Sequence, residues 1–246
     1  CMILARDQNL KSYIYKEEKM KLTATQFGHM VDGACITATM SFSSQVDLAE
    51  AAKKYGFKQV YGFASYYDYL LKELKGTCTG VGGGVGSSLG AGTERTEVKV
   101  FEAQTYMKMG IDEVDMWMNI AALKNSEFDY VRNDIQAVRA VVPKGHNLKV
   151  IIEPATLTSE QIETAVKLVV EGGADFVKAG TGFLGACTLE HARLMLRAAD
   201  GNVKVKCSGG IRDLAVVKEM YDMGVARFGM GVKSAENIIR LLKEEE

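Results

Sequence analysis

One pattern constrains the fold of this sequence most strongly: after residue 25, short apolar or β-branched runs alternate eight times with longer segments of helical period. The predicted strands are Met30–Thr37, Gln59–Phe63, Thr77–Gly82, Glu113–Ile120, Leu148–Pro154, Phe176–Gly180, Val203–Ser208 and Arg227–Met230. The predicted helices lie near residues 45–55, 65–74, 94–109, 126–141, 158–171, 189–199, 212–223 and 234–245. Eight strand–helix repeats suit a closed (β/α)8 TIM barrel better than an open doubly wound sheet of about five or six strands.

Recurring glycine phrases support this α/β arrangement. They are Lys54–Phe57, Met109–Asp112, Glu171–Asp175 and Met223–Ala226, and each has a glycine at the end of a predicted helix. Glycine readily adopts the left-handed conformation that ends a helix, so these phrases predict turns at one end of a barrel. Residues 1–24, rich in Lys, Glu and Tyr, predict an extra N-terminal helix outside it. We therefore expect a single domain over residues 1–246.

The composition is that of an ordinary globular protein, with 246 residues, 47% of them hydrophobic and 25% charged. Thirty Lys and Arg residues balance 31 Asp and Glu residues, so bulk charge predicts neither a nucleic-acid nor a membrane partner. No apolar run approaches the ~20 residues that span a bilayer, and the N-terminus is too polar for a signal peptide. Five scattered cysteines without CxxC spacing favour a reducing cytoplasm over disulfides or zinc. We expect neither a metal nor a cofactor.

Three charged residues interrupt otherwise apolar strands, and they are the candidate catalytic residues: Asp115, Lys178 and Lys206. In a barrel of this kind, active-site side chains project from the C-terminal ends of the strands. A single lysine there could simply extend its amine outward to solvent. Two lysines on adjacent strands, however, lower each other's pKa, and burial lowers it further. Because a neutral lysine attacks carbonyls, the trio predicts Schiff-base chemistry on one of these two lysines.

Glycines follow the last two predicted strands and suggest a phosphate site. Ser208, Gly209 and Gly210 follow the seventh strand, and Gly229 and Gly231 occupy the end of the eighth. Backbone N–H groups in such loops, next to a helix N-terminus, commonly bind phosphate in these barrels. The alternative is that the glycines only form tight turns. We favour a phosphorylated substrate.

Other features predict structure rather than chemistry. The glycine-rich stretch 80–90 lacks the spacing of a P-loop or a dinucleotide fingerprint, so we predict a mobile loop over the barrel mouth. Trp117 either lines the mouth or fills a layer of the barrel. Four tyrosines near the second strand are predicted to serve in packing: Tyr61, Tyr66, Tyr67 and Tyr69.

Six segments in order resemble the deoxyribose-phosphate aldolase family: Glu97–Glu102, Asp112–Met116, Lys149–Glu153, Gly173–Lys178, Thr181–Phe183 and Lys206–Arg212. The resemblance implies cleavage of 2-deoxyribose 5-phosphate to glyceraldehyde 3-phosphate and acetaldehyde without a metal. It also implies that Lys178 forms the Schiff base, that Lys206 lowers its pKa, and that Asp115 relays protons through a water. The residues expected to bind substrate are Asp32, Thr181, Gly182, Ser208, Gly209, Gly210, Gly229 and Gly231. We expect a small aldehyde or sugar phosphate as the binding partner, and a homo-oligomer, either a dimer or a tetramer.

The sequence departs from the family mainly around the substrate. Tyr61–Ala64 stands where the family tends to Cys-Val-Asn-Pro, and Gly33 and Ala34 replace a His-Thr pair after Asp32. Gly231 is followed by Val232 where many relatives have serines. A different phosphorylated aldol is therefore an open alternative. So are a non-catalytic barrel with a vestigial site and a phosphosugar isomerase or epimerase that uses Glu153 as its base.

Overall fold

The computed structural model describes residues 21–246, in which eight parallel strands close into a barrel in sequence order, with β8 pairing to β1. The strands are β1 (Val31–Ala34), β2 (Gln59–Tyr61), β3 (Gly80–Val85), β4 (Glu113–Trp117), β5 (Asn147–Ile151), β6 (Phe176–Lys178), β7 (Lys204–Ser208) and β8 (Arg227–Gly231). This confirms the predicted (β/α)8 TIM-barrel fold.

Helices surround the barrel on its outer side. They are α1 (Ala24–Gly28), α2 (Phe42–Tyr55), α3 (Tyr67–Glu73), α4 (Thr96–Met109), α5 (Ile120–Lys124), α6 (Phe128–Val141), α7 (Ser159–Glu171), α8 (Leu189–Ala199), α9 (Leu214–Asp222) and α10 (Val232–Glu245). The predicted glycine turns are confirmed, because Gly56, Gly110, Gly173 and Gly224 all have positive φ. Capping boxes at Thr158 and Thr188 begin α7 and α8.

The strands alternate between two buried environments. Outward-facing Val114, Val150, Val177 and Val205 are at most 1% exposed and belong to the apolar core between sheet and helices. The residues between them along each strand point into the barrel. Several of these inward-facing residues are charged, so the barrel interior is polar while the layer behind the strands is apolar.

The prediction for the third strand and the glycine-rich stretch was wrong. Strand β3 begins at Gly80 rather than Thr77 and continues to Val85, so half of the predicted mobile loop is strand. These glycines are needed within the strand because side chains from its neighbours occupy the space where a Cβ would be. A Cβ on Gly82 would lie 2.2 Å from Cζ of Tyr61, and one on Gly84 would lie 3.2 Å from Cζ3 of Trp117. Glycines therefore allow large aromatic side chains from both neighbouring strands to lie across β3.

Other boundaries differ from the predicted ones as well: β1 ends at Ala34 rather than Thr37, β2 at Tyr61 rather than Phe63, β5 at Ile151 rather than Pro154, and β6 at Lys178 rather than Gly180. Strand β4 ends at Trp117 rather than Ile120, because the Asn119 side chain accepts the N–H of Ala122 at 3.0 Å and begins α5. The extra helix predicted over residues 1–24 lies mostly outside the described residues, and within them α1 begins at Ala24. None of the helices in residues 21–246 has the length and apolar character needed to cross a membrane.

Candidate active site

The three predicted catalytic residues lie close together inside the barrel. Lys178 ends β6 and pairs in register with Lys206 on β7, while Asp115 occupies the middle of β4. The Nζ of Lys178 lies 2.8 Å from Oδ2 of Asp115, and the Nζ of Lys206 lies 3.0 Å from the same oxygen. One carboxylate oxygen thus contacts both amines. All three side chains are buried, and Lys178, at 7% exposed, is the most accessible of them.

Asp32, predicted to bind substrate, is buried and paired with basic side chains. Its Oδ2 lies 2.6 Å from Nζ of Lys206, and its Oδ1 accepts a hydrogen bond of 2.7 Å from Nη1 of Arg227. Asp32 is only 1% exposed, and it contacts Lys206 directly. Arg227 was not singled out in the sequence.

In the sequence, Lys149 attracted attention only as the first residue of a segment that resembles the aldolase family. In the structure it lies at the centre of the site. Its Nζ contacts Glu113, lies 3.2 Å from Oδ1 of Asp115, and donates to Oη of Tyr61 at 2.7 Å. A buried parallel strand normally reads as a continuous apolar run. A lysine between Leu148 and Val150, in register with Asp115, was the signal that could have identified it.

The ion pairs join four cations, Lys149, Lys178, Lys206 and Arg227, to three carboxylates, Asp32, Glu113 and Asp115. This network is electrically neutral when one cation gives up its proton. Burial lowers the pKa of Lys178 to about 8, and although Asp115 opposes the shift, the charges of Lys206 and Lys149 reinforce it. The amine most easily neutralised is therefore Lys178.

Asp115 and Lys149 keep their charges. Burial alone would raise the pKa of Asp115, but Lys149, Lys178 and Lys206 hold it well below its usual range. Burial would lower the pKa of Lys149, but Asp115, Asp32 and Glu113 raise it to about 12. Fixed charges of both signs therefore surround the titrating amine.

The tyrosine prediction was wrong for one of the four residues. Tyr61 lies inside the site, where its Oη donates to Oδ1 of Asp115 at 2.7 Å. The other three have packing contacts away from the lysines: Tyr66 and Tyr69 against the ring of Phe42, and Tyr67 through a hydrogen bond of 3.2 Å from the N–H of Gly84. The ring of Trp117 lies 5.9 Å from Nζ of Lys178, so Trp117 lines the site.

The predicted phosphate residues come together at the ends of β7 and β8. Gly209 and Gly210 have φ of 97° and 74°, and a Cβ on Gly209 would approach the backbone of Gly182 to 2.8 Å. The hydroxyl of Ser208 donates to the carbonyl of Gly180 at 2.5 Å, so it braces the neighbouring segment. Gly229 leaves room for a lysine, because a Cβ there would lie 3.2 Å from Cε of Lys206.

Two helix N-termini adjoin these glycines, and they differ. Helix α9 is capped by the carboxylate of Asp213, which accepts the N–H groups of Ala215 and Val216. Helix α10 begins after Gly231 with no side-chain cap. No side chain therefore accepts the first N–H groups of α10 at this cap.

Thr181 is bound to a buried carboxylate. Its N–H and its hydroxyl donate to Oε1 of Glu153 at 3.0 and 2.9 Å. Glu153 has a left-handed backbone, with φ of 45°, and burial raises its pKa. It fixes the segment after β6. In residues 21–246, no group of three or more His, Cys, Asp or Glu side chains is placed to hold a metal ion.

Comparisons with known proteins agree with this geometry. A family model described as "DeoC/LacD family aldolase" matches residues 84–239. The deoxyribose-phosphate aldolase of Sinorhizobium medicae is 40% identical over 212 residues, which are 83% of this chain and 84% of the relative. That of Staphylococcus carnosus is 43% identical over 188 residues, covering 75% of this chain and 84% of the relative.

A solved structure supports the same assignment. A protein from Coccidioides immitis, provisionally named a deoxyribose-phosphate aldolase, has a TM-score of 0.84 at 32% identity, covering 91% of this chain and 87% of its own. The resemblance noted in the sequence is thereby confirmed. The chain belongs to the DeoC/LacD family of aldolases, which are lyases that cleave carbon–carbon bonds.

Proposed function

We propose that this aldolase cleaves 2-deoxyribose 5-phosphate to glyceraldehyde 3-phosphate and acetaldehyde through a Schiff base on Lys178. The observation that carries the proposal is the buried amine of Lys178, with a pKa of about 8, held 2.8 Å from a carboxylate. The names of relatives about 40% identical to the chain support the choice of substrate.

The reaction follows from this amine. Neutral Lys178 attacks C1 of the open-chain sugar, and loss of water from the carbinolamine gives an iminium ion. A base removes the C3 hydroxyl proton, the C2–C3 bond breaks, and its electron pair moves to the iminium to give an enamine. Glyceraldehyde 3-phosphate leaves. Protonation at C2 and hydrolysis then release acetaldehyde and the free lysine.

Lys206 and Asp115 assist these steps. Lys206 carries a positive charge beside Lys178 and so favours its neutral form. Asp115, through a water, relays the protons that carbinolamine dehydration and C2 protonation require. A positioned acid–base group typically contributes about 10²–10⁴-fold to such steps.

The phosphate group binds at the N-terminus of α10. Gly209, Gly210, Gly229 and Gly231 allow backbone N–H groups to approach a dianion closely. Asp32, Thr181, Gly182 and Ser208 shape the pocket, mainly by holding Lys206 and the segments after β6 and β7. We further propose that the reaction needs no metal, and that the protein is a cytoplasmic homo-oligomer, either a dimer or a tetramer.

Another phosphorylated aldol is the second candidate substrate. The segment that departs from the family pattern includes Tyr61, whose ring lies 5.6 Å from Nζ of Lys178. The ring of Trp117 lies 5.9 Å from the same atom. They shape the space in which the sugar chain must fit.

Reductive trapping tests the proposal. The protein is incubated with borohydride and 2-deoxyribose 5-phosphate, and the adduct is located by intact mass and peptide mapping. We expect one two-carbon adduct on Lys178, none in Lys178→Ala, and an undiminished one in Lys204→Ala, since Lys204 is an exposed lysine at the start of β7. Labelling at another lysine, or near-native cleavage by Lys178→Ala, would refute the proposed nucleophile. Trapping only with a different aldol would favour the second substrate.

A further inference from the structure

Tyr61 makes contacts that packing alone does not require. Its hydroxyl donates to Oδ1 of Asp115 at 2.7 Å and accepts a hydrogen bond from Nζ of Lys149, also at 2.7 Å. The side chain is 6% exposed. The two oxygens of the Asp115 carboxylate therefore have different partners. Oδ1 faces Tyr61 and Lys149, while Oδ2 faces Lys178 and Lys206.

The ring of Tyr61 makes a second set of contacts. Its centroid lies 4.4 Å from Nζ of Lys206 and 5.6 Å from Nζ of Lys178. An aromatic face at this distance attracts a cation. The ring fits only because residue 82 is glycine, since a Cβ there would lie 2.2 Å from Cζ of Tyr61. A tyrosine on β2 and a glycine on β3 thus form one matched pair.

We propose that Tyr61 is a positioning residue of the Schiff-base site that acts through Asp115: its hydroxyl binds Oδ1 and so weakens the hold of this carboxylate on the ammonium form of Lys178, and its ring covers Lys206. The inference rests on the proposed function, because it takes Lys178 as the nucleophile.

The charged groups around Tyr61 determine whether its hydroxyl raises or lowers the pKa of Lys178. Those facing the site are Asp32 on β1, Glu113 and Asp115 on β4, Lys149 on β5, Lys178 on β6, Lys206 on β7, Arg227 on β8 and Glu153 after β5. Burial raises the pKa of Tyr61 well above its usual value, and Asp115 reinforces the shift, so the phenol remains a neutral donor. Its hydrogen bond disperses part of the charge of Asp115. Without it, that carboxylate favours the ammonium form of Lys178 more strongly.

The test is Tyr61→Phe, which keeps the ring and removes only the hydroxyl. We measure the pH dependence of reductive trapping on Lys178 with 2-deoxyribose 5-phosphate. The midpoint should move upward by about one pH unit, because charge-assisted hydrogen bonds commonly have effects of this size. Tyr106→Phe is the control, since it removes the hydroxyl of a half-buried tyrosine on α4 whose pKa is raised by burial and by Glu102 rather than by Asp115. Its midpoint should stay at the wild-type value.

Thermal stability separates positioning from packing. Tyr61→Phe could lower the melting temperature while the pH midpoint of trapping stays unchanged or falls. That result would overturn the proposal. Gly82→Ala provides a second route, because it displaces the ring without changing the tyrosine, and it should shift the midpoint in the same direction. If wild-type protein gives no adduct on Lys178, the proposed function fails. If wild type is trapped there but neither variant shifts the midpoint, only the role of Tyr61 fails.

Discussion

The Nζ of Lys178 lies 2.8 Å from Oδ2 of Asp115, within a network that has one more cation than it has carboxylates. Asp115 alone would raise the pKa of this amine, whereas burial and the neighbouring lysines lower it to about 8. One pH unit below that value, about a tenth of the amine is neutral. The pair therefore keeps a fraction of neutral amine available while holding it in place.

The first prediction concerns pH. Protonated Lys178 cannot attack a carbonyl, so the rate of reductive trapping should rise with pH, with a midpoint near the pKa of about 8. Lys206→Met removes a positive charge that favours the neutral amine, so its midpoint should lie higher. Lys204→Met, an exposed change on the same strand, should match wild type. An unchanged profile in Lys206→Met would exclude the tuning role.

The second prediction concerns proton transfer. Asp115→Asn keeps the shape of the side chain but removes the basic oxygen, so turnover should fall about 10²–10⁴-fold. Asp112→Asn is the control, because Asp112 is also a hydrogen-bonded carboxylate, accepting the N–H of Val81 at 2.8 Å, but lies outside the lysine network. Turnover and substrate protection against thermal unfolding are measured together. Full activity in Asp115→Asn would contradict the proposed relay.

The third prediction concerns stability behind the site. Nζ of Lys99 lies 2.6 Å from Oδ2 of Asp134 and donates to the carbonyl of Trp117 at 3.1 Å, and both charged side chains are at most 1% exposed. Removing one partner leaves a buried charge, so Lys99→Met should lower the free energy of unfolding by roughly 3–5 kcal/mol.

The exposed pair of Lys53 and Glu73, with its charged atoms 2.8 Å apart, provides the control for that change. Solvent screens such a pair, so Lys53→Met should cost at most about 1 kcal/mol. Denaturant unfolding of both variants gives the comparison. Equal costs would mean that the buried pair contributes no more than a surface one.

The sequence alone was sufficient to predict the barrel and to select three charged residues that lie together inside it, because both depend on local patterns. Charged residues inside apolar strands identified Lys178, Lys206 and Asp115, and glycine phrases identified the turns. The path of β3 could not be predicted in this way, since its glycines are explained by the rings of Tyr61 and Trp117 on neighbouring strands. Strand register, rather than sequence proximity, creates those contacts.

The rest of the charged network was missed for a similar reason. Lys149 and Arg227 each look like an isolated charge in the sequence. Only closure of the barrel brings Arg227 on β8 against Asp32 on β1, and Lys149 on β5 against Tyr61 on β2. Their importance depends on contacts between residues far apart in sequence.

The last prediction concerns the phosphate site. Gly231 precedes α10 with φ of −70°, which other residues also adopt, and a Cβ there would meet only the carbonyl oxygen of Ala34, at 3.9 Å. Gly231→Asp should therefore fit and cap the helix, as Asp213 caps α9. Its negative charge would occupy the place of the phosphate, so kcat/KM for 2-deoxyribose 5-phosphate should fall at least tenfold.

Gly231→Asn separates charge from capping. It can form the same cap without a negative charge, so it should lose less activity than Gly231→Asp toward the phosphorylated substrate, and the two should be alike toward 2-deoxyribose. Wild type should prefer the phosphorylated sugar by more than about fivefold, which corresponds to ~1 kcal/mol. Inorganic phosphate should compete with it, less effectively at high salt. A smaller preference, together with equal losses in the two variants, would mean that the glycines only form turns and that the substrate carries no phosphate.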